Sequence, residues 1–360
     1  MKNFCGIVLR TDKNLLGISE QKILGRSCVD WVALSLGEGA KIVDYYGDEN
    51  NIPHFIRGIV DRGMPYTVVL FADTPLITKK TVSDAVGMLV KKGLNVLKMT
   101  RGFVFKTEFL DTTESLYTTK QHYFEEEDLI TAKDYKQVAL ITDILKNRIL
   151  NFHMSQGVYI VDPPSTFIDS YVTIRKGVRI EPNNILRGKT VIEERVILDT
   201  GNVIDSSIVG EKSIITSSRL EQCFVGKESK VGPYAYIRPE SIVQENCKIG
   251  DFVEIKKSII GAGTKISHMS YIGDAQIGQK VNIGCGVVFA NYDGVHKHPS
   301  KIGNNVFIGS NTNLVAPISI CDDTFIAAGS TITQSVTNPQ GLVIARAKQT
   351  VATNWTRPSK

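Results

Sequence analysis

The chain has 360 residues, 42 Lys and Arg against 37 Asp and Glu, a net charge of +5, and 42% hydrophobic residues. That length suits two domains, and the mild positive balance suits anionic small molecules; a nucleic-acid groove wants clustered Lys and Arg with interleaved aromatics. No apolar run approaches the roughly 20 residues of a membrane span, and the six scattered cysteines, with no CxxC pair, predict reduced thiols in a cytoplasm rather than a disulfide framework or a zinc site.

Residues 1–134 read as an α/β domain. MKNFCGIVLR is too short in apolar content for a secretory signal and reads as a first strand over Cys5–Leu9. Ser27–Leu36 fits a helix. Tyr66–Phe71, YTVVLF, is a continuous apolar run of the kind buried in a parallel sheet. Asp73 follows it, at the strand end where such sheets bind ligands; a turn cap before Pro75 is the alternative. A helix is expected from about Lys79 to Lys92. The acidic run Glu125–Asp128 reads as a solvated loop or helix face. Apolar residues at helical spacing (Val138, Ile141, Ile144, Leu145, Ile149) predict a linker helix over 135–157.

From there the chain counts in sixes. Ile168, Ile174, Ile180, Leu186, Ile192, Leu198 and Ile204 are six residues apart, and the count resumes at Val225, Val231, Ile237, Val243, Ile249 and Ile255. It returns at Ile260, Ile266 and Ile272, and after a break at 290–301 it runs from Ile302 to Ile332. Six fits neither a helix nor an alternating strand. It fits a coil of three flat faces, about eighteen residues per turn, with one large aliphatic pointing inward per face, a signature of hexapeptide-repeat β-helices. Glycine often follows the aliphatic, as at Gly250, Gly284 and Gly309, and is expected to take the tight corners. The coil should span 158–340, with a tail over 341–360.

A β-helix has little internal space, so its chemistry must lie outside. Region 231–310 gathers Arg238, Glu254, Lys256, His268, Tyr271, Asn282 and Lys297 about one turn apart. An acyl transfer to an amine wants a base near neutral pKa, a carboxylate to orient it, and cations for any phosphate. His268 and Glu254, 14 residues apart and close to one coil, are expected to meet on neighbouring rungs. Asp293, His296 and His298 lie in the break and read as loop residues rather than metal ligands.

Two resemblances sharpen this reading. VLFADTPLI, with Gln21-Lys22-Ile23-Leu24 and Gly25-Arg26 upstream, resembles sugar-phosphate nucleotidyltransferases. It implies a Rossmann-like nucleotidyltransferase-type domain in which Lys22 meets phosphate and Asp73 and Asp134 are the ligands for any Mg²⁺. The family's glycine-rich opening loop is replaced by Val8-Leu9-Arg10-Thr11-Asp12-Lys13-Asn14-Leu15, so the domain is expected to be degenerate, with weak or lost uridylyl transfer. The second resemblance covers about 200 residues. GVYIVDPPSTFID, Arg238-Pro239 with GDFVEIKK, HMSYIGDAQIGQKVNIGCG and NYDGVHK resemble, in order and spacing, the bifunctional glucosamine-1-phosphate acetyltransferase/N-acetylglucosamine-1-phosphate uridylyltransferase family.

That resemblance implies a left-handed parallel β-helix, a homotrimer, and N-acetylation of glucosamine 1-phosphate by acetyl-CoA, with no nucleic acid and no membrane. His268 would be the base and Glu254 its orienter. Arg238, Lys256, Tyr271, Asn282 and Lys297 would hold the sugar phosphate. Cys285, Asn291, Tyr292, Ser310, Ala328 and Arg346 would line the acetyl-CoA site, with Tyr292 offering a backbone N–H and Cys285 not acting as a catalytic thiol. The alternatives are an intact bifunctional enzyme, a non-catalytic trimeric scaffold or sensor, and a transferase for another amine.

Overall fold

The computed structural model describes residues 4–11, 17, 20–116, 126–353, 355 and 356. The chain divides into two compact units, Met1–Ile149 and Leu150–Lys360, and the division falls inside the expected linker helix.

In the first unit the apolar runs become strands: β1 (Phe4–Arg10), β2 (Lys41–Asp44), β3 (Tyr66–Phe71), β4 (Val96–Met99) and β5 (Gly102–Lys106). The sheet order is β2-β1-β3-β5-β4; β1 runs parallel to β2 and β3, and β5 antiparallel to β3 and β4. Alternation along β1 and β3 feeds two cores. Val8, Val68 and Leu70 pack with Val29 and Val32 of α1 (Cys28–Leu36) and Val82 and Leu89 of α3 (Lys79–Lys91). Ile7, Leu9, Val69 and Phe71 pack on the other face with Phe103, Phe105 and α2 (Ile52–Ile56). Ser27 caps α1 through a capping box with Asp30, which satisfies two otherwise unpaired N–H groups. The linker helix forms as α4 (Tyr135–Ser155).

The acidic run departs from expectation. Asp128 is buried, bonded to the Thr81 hydroxyl and paired with Arg148 at 2.9 Å, so it is an internal tie rather than a solvated charge. Asp12–Leu15, within the replaced loop, lie outside the described residues.

The second unit is a coil of short parallel strands forming three sheets of nine, eleven and ten strands. The sixes set the register. Ile180, Leu198, Ile215, Val231, Ile249, Ile266, Ile283, Ile308 and Ile326 stack down one sheet, each nearly or fully buried. Burying each such side chain contributes roughly 1.5–3 kcal/mol. A second inward position near the corners carries small polar groups that satisfy corner backbone, as where the Asn202 amide donates to Asp199 O at 2.6 Å.

Glycine's role differs from the expected one. Corner residues with positive φ are mostly not glycine: Asn183, Lys212, Glu240, Asn246 and Lys257 among them. The glycines after the aliphatics answer instead to close approach between coils. A Cβ on Gly250 would stand 1.9 Å from Ser267 O, and one on Gly309 2.4 Å from Ala328 N.

Candidate active site

One coil here is seventeen residues. Ile249 lies under Ile266 and Ile266 under Ile283, and the residues two further on stack in the same way: Asp251 is in register with His268. Asn311 N donates to Cys285 O at 2.7 Å, and Gly329 N to Ser310 O at 2.8 Å. Asp251, His268, Cys285, Ser310 and Ala328 therefore form a column along the edge of the eleven-stranded sheet. Neighbouring strands are about 4.8 Å apart, so His268 and Ser310 stand roughly 10 Å from one another.

His268 Nδ1 meets Asp251 Oδ1 at 2.5 Å. A carboxylate accepts only, so Nδ1 carries a proton, and in the neutral ring it is Nε2 that holds the lone pair. The bond also holds Asp251 below the usual carboxylate range. The carboxylate that meets His268 is thus Asp251; Glu254, which the sequence was expected to bring to His268, lies elsewhere. Glu254 belongs to the ten-stranded sheet, where its partner one coil on is Tyr271, and its Oε1 receives Arg238 Nη1 at 2.7 Å.

Above His268 the column is lined by small side chains. Gly284, Cys285, Gly286, Gly309 and Ser310 make a narrow, smooth strip, and Arg346 at its far end donates from Nη1 to Ala328 O at 3.0 Å. Cys285 is partly exposed and its thiol has no charged partner among the contacts described. Asn282 sits one strand position before Ile283, in register with Lys265 and Phe307, on the face beside this strip.

Across the ten-stranded sheet lies a cationic cluster. Arg238 N bonds to Ile255 O, which sets Arg238 one coil below Lys256. Lys256 Nζ reaches Asp274 Oδ2 at 3.2 Å, and the Asn291 amide donates to the same oxygen at 2.6 Å. Lys297 comes down beside Lys256. Burial works against the Lys256 charge, Asp274 favours it, and its pKa is raised; Lys297 is lowered by the neighbouring Lys256 ammonium. Two crowded ammonium groups and a guanidinium are a setting that an added phosphate would relieve.

Asn291 is buried and spent on Asp274. The break in the sixes is a small hairpin: His298 N donates to Asn291 O, and Asp293 N to His296 O. Tyr292 and Lys297 face each other between those bonds, so the hairpin does not use the Tyr292 N–H. Asp293 pairs with His298 Nε2 at 2.7 Å. Among the described residues no three His, Cys, Asp or Glu come together as a metal site. Sequence reasoning missed Asp251 and Asp274. Both were legible as residues one coil from His268 and Lys256.

In the first unit Lys22 is exposed on a short strand paired with Ser27. Asp73 stands just past β3, where Arg101 Nη2 meets it at 2.9 Å. Asp134 Oδ1 accepts from Gln137 N at 2.8 Å and so caps α4. The Mg²⁺ pair expected of Asp73 and Asp134 is thus engaged otherwise. No helix among the described residues is long and apolar enough to cross a membrane.

The triangular coil with its six-residue rungs defines a hexapeptide-repeat protein with a left-handed β-helix. Residues 299–334 match the bacterial transferase hexapeptide model (six repeats), and 219–293 match the GMPPB C-terminal domain. The bifunctional protein GlmU of Clostridium acetobutylicum is 46% identical over 230 residues, 64% of this chain and 50% of that protein. GlmU of Acetivibrio thermocellus is 35% identical over 356 residues, covering 81% of this chain and 77% of the relative. The chain belongs to the GlmU family. It spans about half the length of several of the curated relatives that it matches. Among solved structures, a UDP-N-acetylglucosamine acyltransferase from Campylobacter jejuni aligns at 16% identity with a TM-score of 0.37, over 51% of this chain and 70% of that one.

Proposed function

We propose that the chain transfers the acetyl group of acetyl-CoA to the amine of glucosamine 1-phosphate, giving N-acetylglucosamine 1-phosphate on the way to UDP-N-acetylglucosamine. The observation that carries this reading is the shared column: a His–Asp pair in line with a strip of small residues, beside a cluster of three cations. The strip suits a slim pantetheine arm ending at His268, with Arg346 toward the CoA phosphates. Arg238, Lys256 and Lys297 suit the sugar phosphate, and Tyr271 and Asn282 its ring.

In the reaction the amine nitrogen attacks the thioester carbon while His268 Nε2 takes the amine proton. Asp251 fixes the tautomer and stabilises the imidazolium that forms. The Tyr292 N–H supports the oxyanion, as such donors do. The tetrahedral intermediate then collapses, the C–S bond breaks, and the proton on His268 goes to the departing CoA thiolate. A homotrimer, with grooves completed between copies, fits the same reading.

The test is thiol release from acetyl-CoA with glucosamine 1-phosphate, run beside glucosamine and glucosamine 6-phosphate. Turnover with the 1-phosphate alone supports the assignment. Turnover with none of the three returns the coil to a scaffold or to another amine.

A further inference from the structure

We propose that Arg101 is a built-in counter-ion that takes the place of a divalent cation at Asp73, so that the first unit has no metal site there. The inference concerns the first unit alone and does not depend on acetyl transfer by the coil. Asp73 follows β3 at the C-terminal end of a strand parallel to its neighbour, the edge where open α/β sheets hold ligands and their metals.

Both Asp73 oxygens are engaged by one side chain. Arg101 Nε lies 3.2 Å from each, and Nη2 lies 2.9 Å from Oδ2. Its remaining nitrogen, Nη1, reaches Glu49 Oε1 at 2.8 Å. The guanidinium thus bridges two carboxylates with its planar fork, a geometry that an ammonium could not reproduce. Its carbon also stands 4.0 Å from the centre of the Phe71 ring. Burial disfavours the Arg101 charge, and Asp73 and Glu49 more than restore it.

The backbone fixes this arrangement. Arg101 sits in the turn between β4 and β5, where Met99 pairs with Gly102. Gly102 has φ +130, and a Cβ there would lie 2.7 Å from Val69 O. Only glycine allows the turn to close so near β3, and the closure delivers Arg101 to Asp73. Mg²⁺ demands near-ideal octahedral oxygen ligands. It would have to displace three nitrogen contacts from Asp73 and then stand beside a positive charge. Asp134, the other expected ligand, is committed to the end of α4.

Mn²⁺ binding to the full chain, followed by the EPR signal of the free ion, tests this. Wild type and D73N are expected to titrate alike, because Asp73 contributes no metal affinity while Arg101 holds it. R101M should gain a site at least about tenfold tighter than any in wild type, and R101M/D73N should lose it again. Wild-type Mn²⁺ binding that D73N abolishes would overturn the proposal, as would a folded R101M that gains nothing. Folding is checked by far-UV circular dichroism. If R101M does not fold, the wild-type and D73N comparison decides the matter, with R101K as the milder variant.

Discussion

Replacing Asp251 by Ala removes the one hydrogen bond that holds the His268 ring. The histidine side chain is 57% exposed and the aspartate 35%, so little else confines the imidazole. A free ring samples about six χ1–χ2 wells, so the productive orientation falls to roughly one sixth. Loss of tautomer control removes a further factor of about two. The unpaired imidazolium in the transition state adds to this, though water screens an exposed pair and the penalty stays far below the roughly 10⁴ of a buried triad. The sum predicts a kcat lower by about 10- to 100-fold for D251A, with KM for acetyl-CoA little changed. H268A, run alongside, should lose about 10² or more, the scale of a general base. E254A should behave differently, since Glu254 faces Arg238: KM for the sugar phosphate shifts and kcat largely holds. The assay is thiol release at saturating acetyl-CoA. A D251A protein retaining more than half of wild-type kcat, with E254A down a hundredfold, would return the orienting role to Glu254 and refute the column argument.

Lys256→Ala should raise KM for glucosamine 1-phosphate by roughly 10- to 100-fold, the scale of a charge-assisted hydrogen bond; an unchanged KM removes it from the phosphate site. Ile266→Ala hollows a fully buried rung directly under the site and should cost about 2–5 kcal/mol in denaturant unfolding; a loss under about 1 kcal/mol would mean that the stack is not a close-packed core. Asp293 is held down to about 2 by the His296 N–H, by His298 and by the Val295 N–H. A depressed carboxylate stabilises above its ordinary value of 3.8 and loses that contribution as pH falls through about 2. Its NMR titration midpoint should lie near 2, and an ordinary midpoint would mean that the hairpin at 291–298 does not form in solution.

Much of this molecule is legible in its residues because stacking leaves a periodic mark. Tyr66–Phe71, the helix after Thr78 and the linker helix appear within a residue or two of their expected bounds. The inward aliphatics lie where the sixes put them. What escaped were features that depend on exact coil length. Eighteen residues per turn is an average, and a gap of 14 is not one coil; the spacing of Ile249, Ile266 and Ile283 already carried the seventeen that pairs Asp251 with His268. Arg101 left no mark at all. It is 28 residues from Asp73 and meets it only because a hairpin folds back across β3. Asp128 was misread for a similar reason: its partner Arg148 is 20 residues away, and no local pattern announces it.

Coil length in this protein is not constant. Val209 pairs with Val225, 16 residues on; Val225 pairs with Val243, 18 on; and Ile283 pairs with Ile308, 25 on. The paired aliphatics stay in register through all of these changes, so every gain or loss of residues is absorbed at the corners. The faces cannot drift without unstacking the core, whereas the corners can be lengthened, shortened or given a hairpin at little structural penalty. Asp251, His268, Cys285 and Ser310 all stand where a strand runs out into a corner. Such a scaffold separates what must be inherited unchanged from what is free to be revised, and a new acceptor specificity is reachable through insertions and deletions that leave folding untouched.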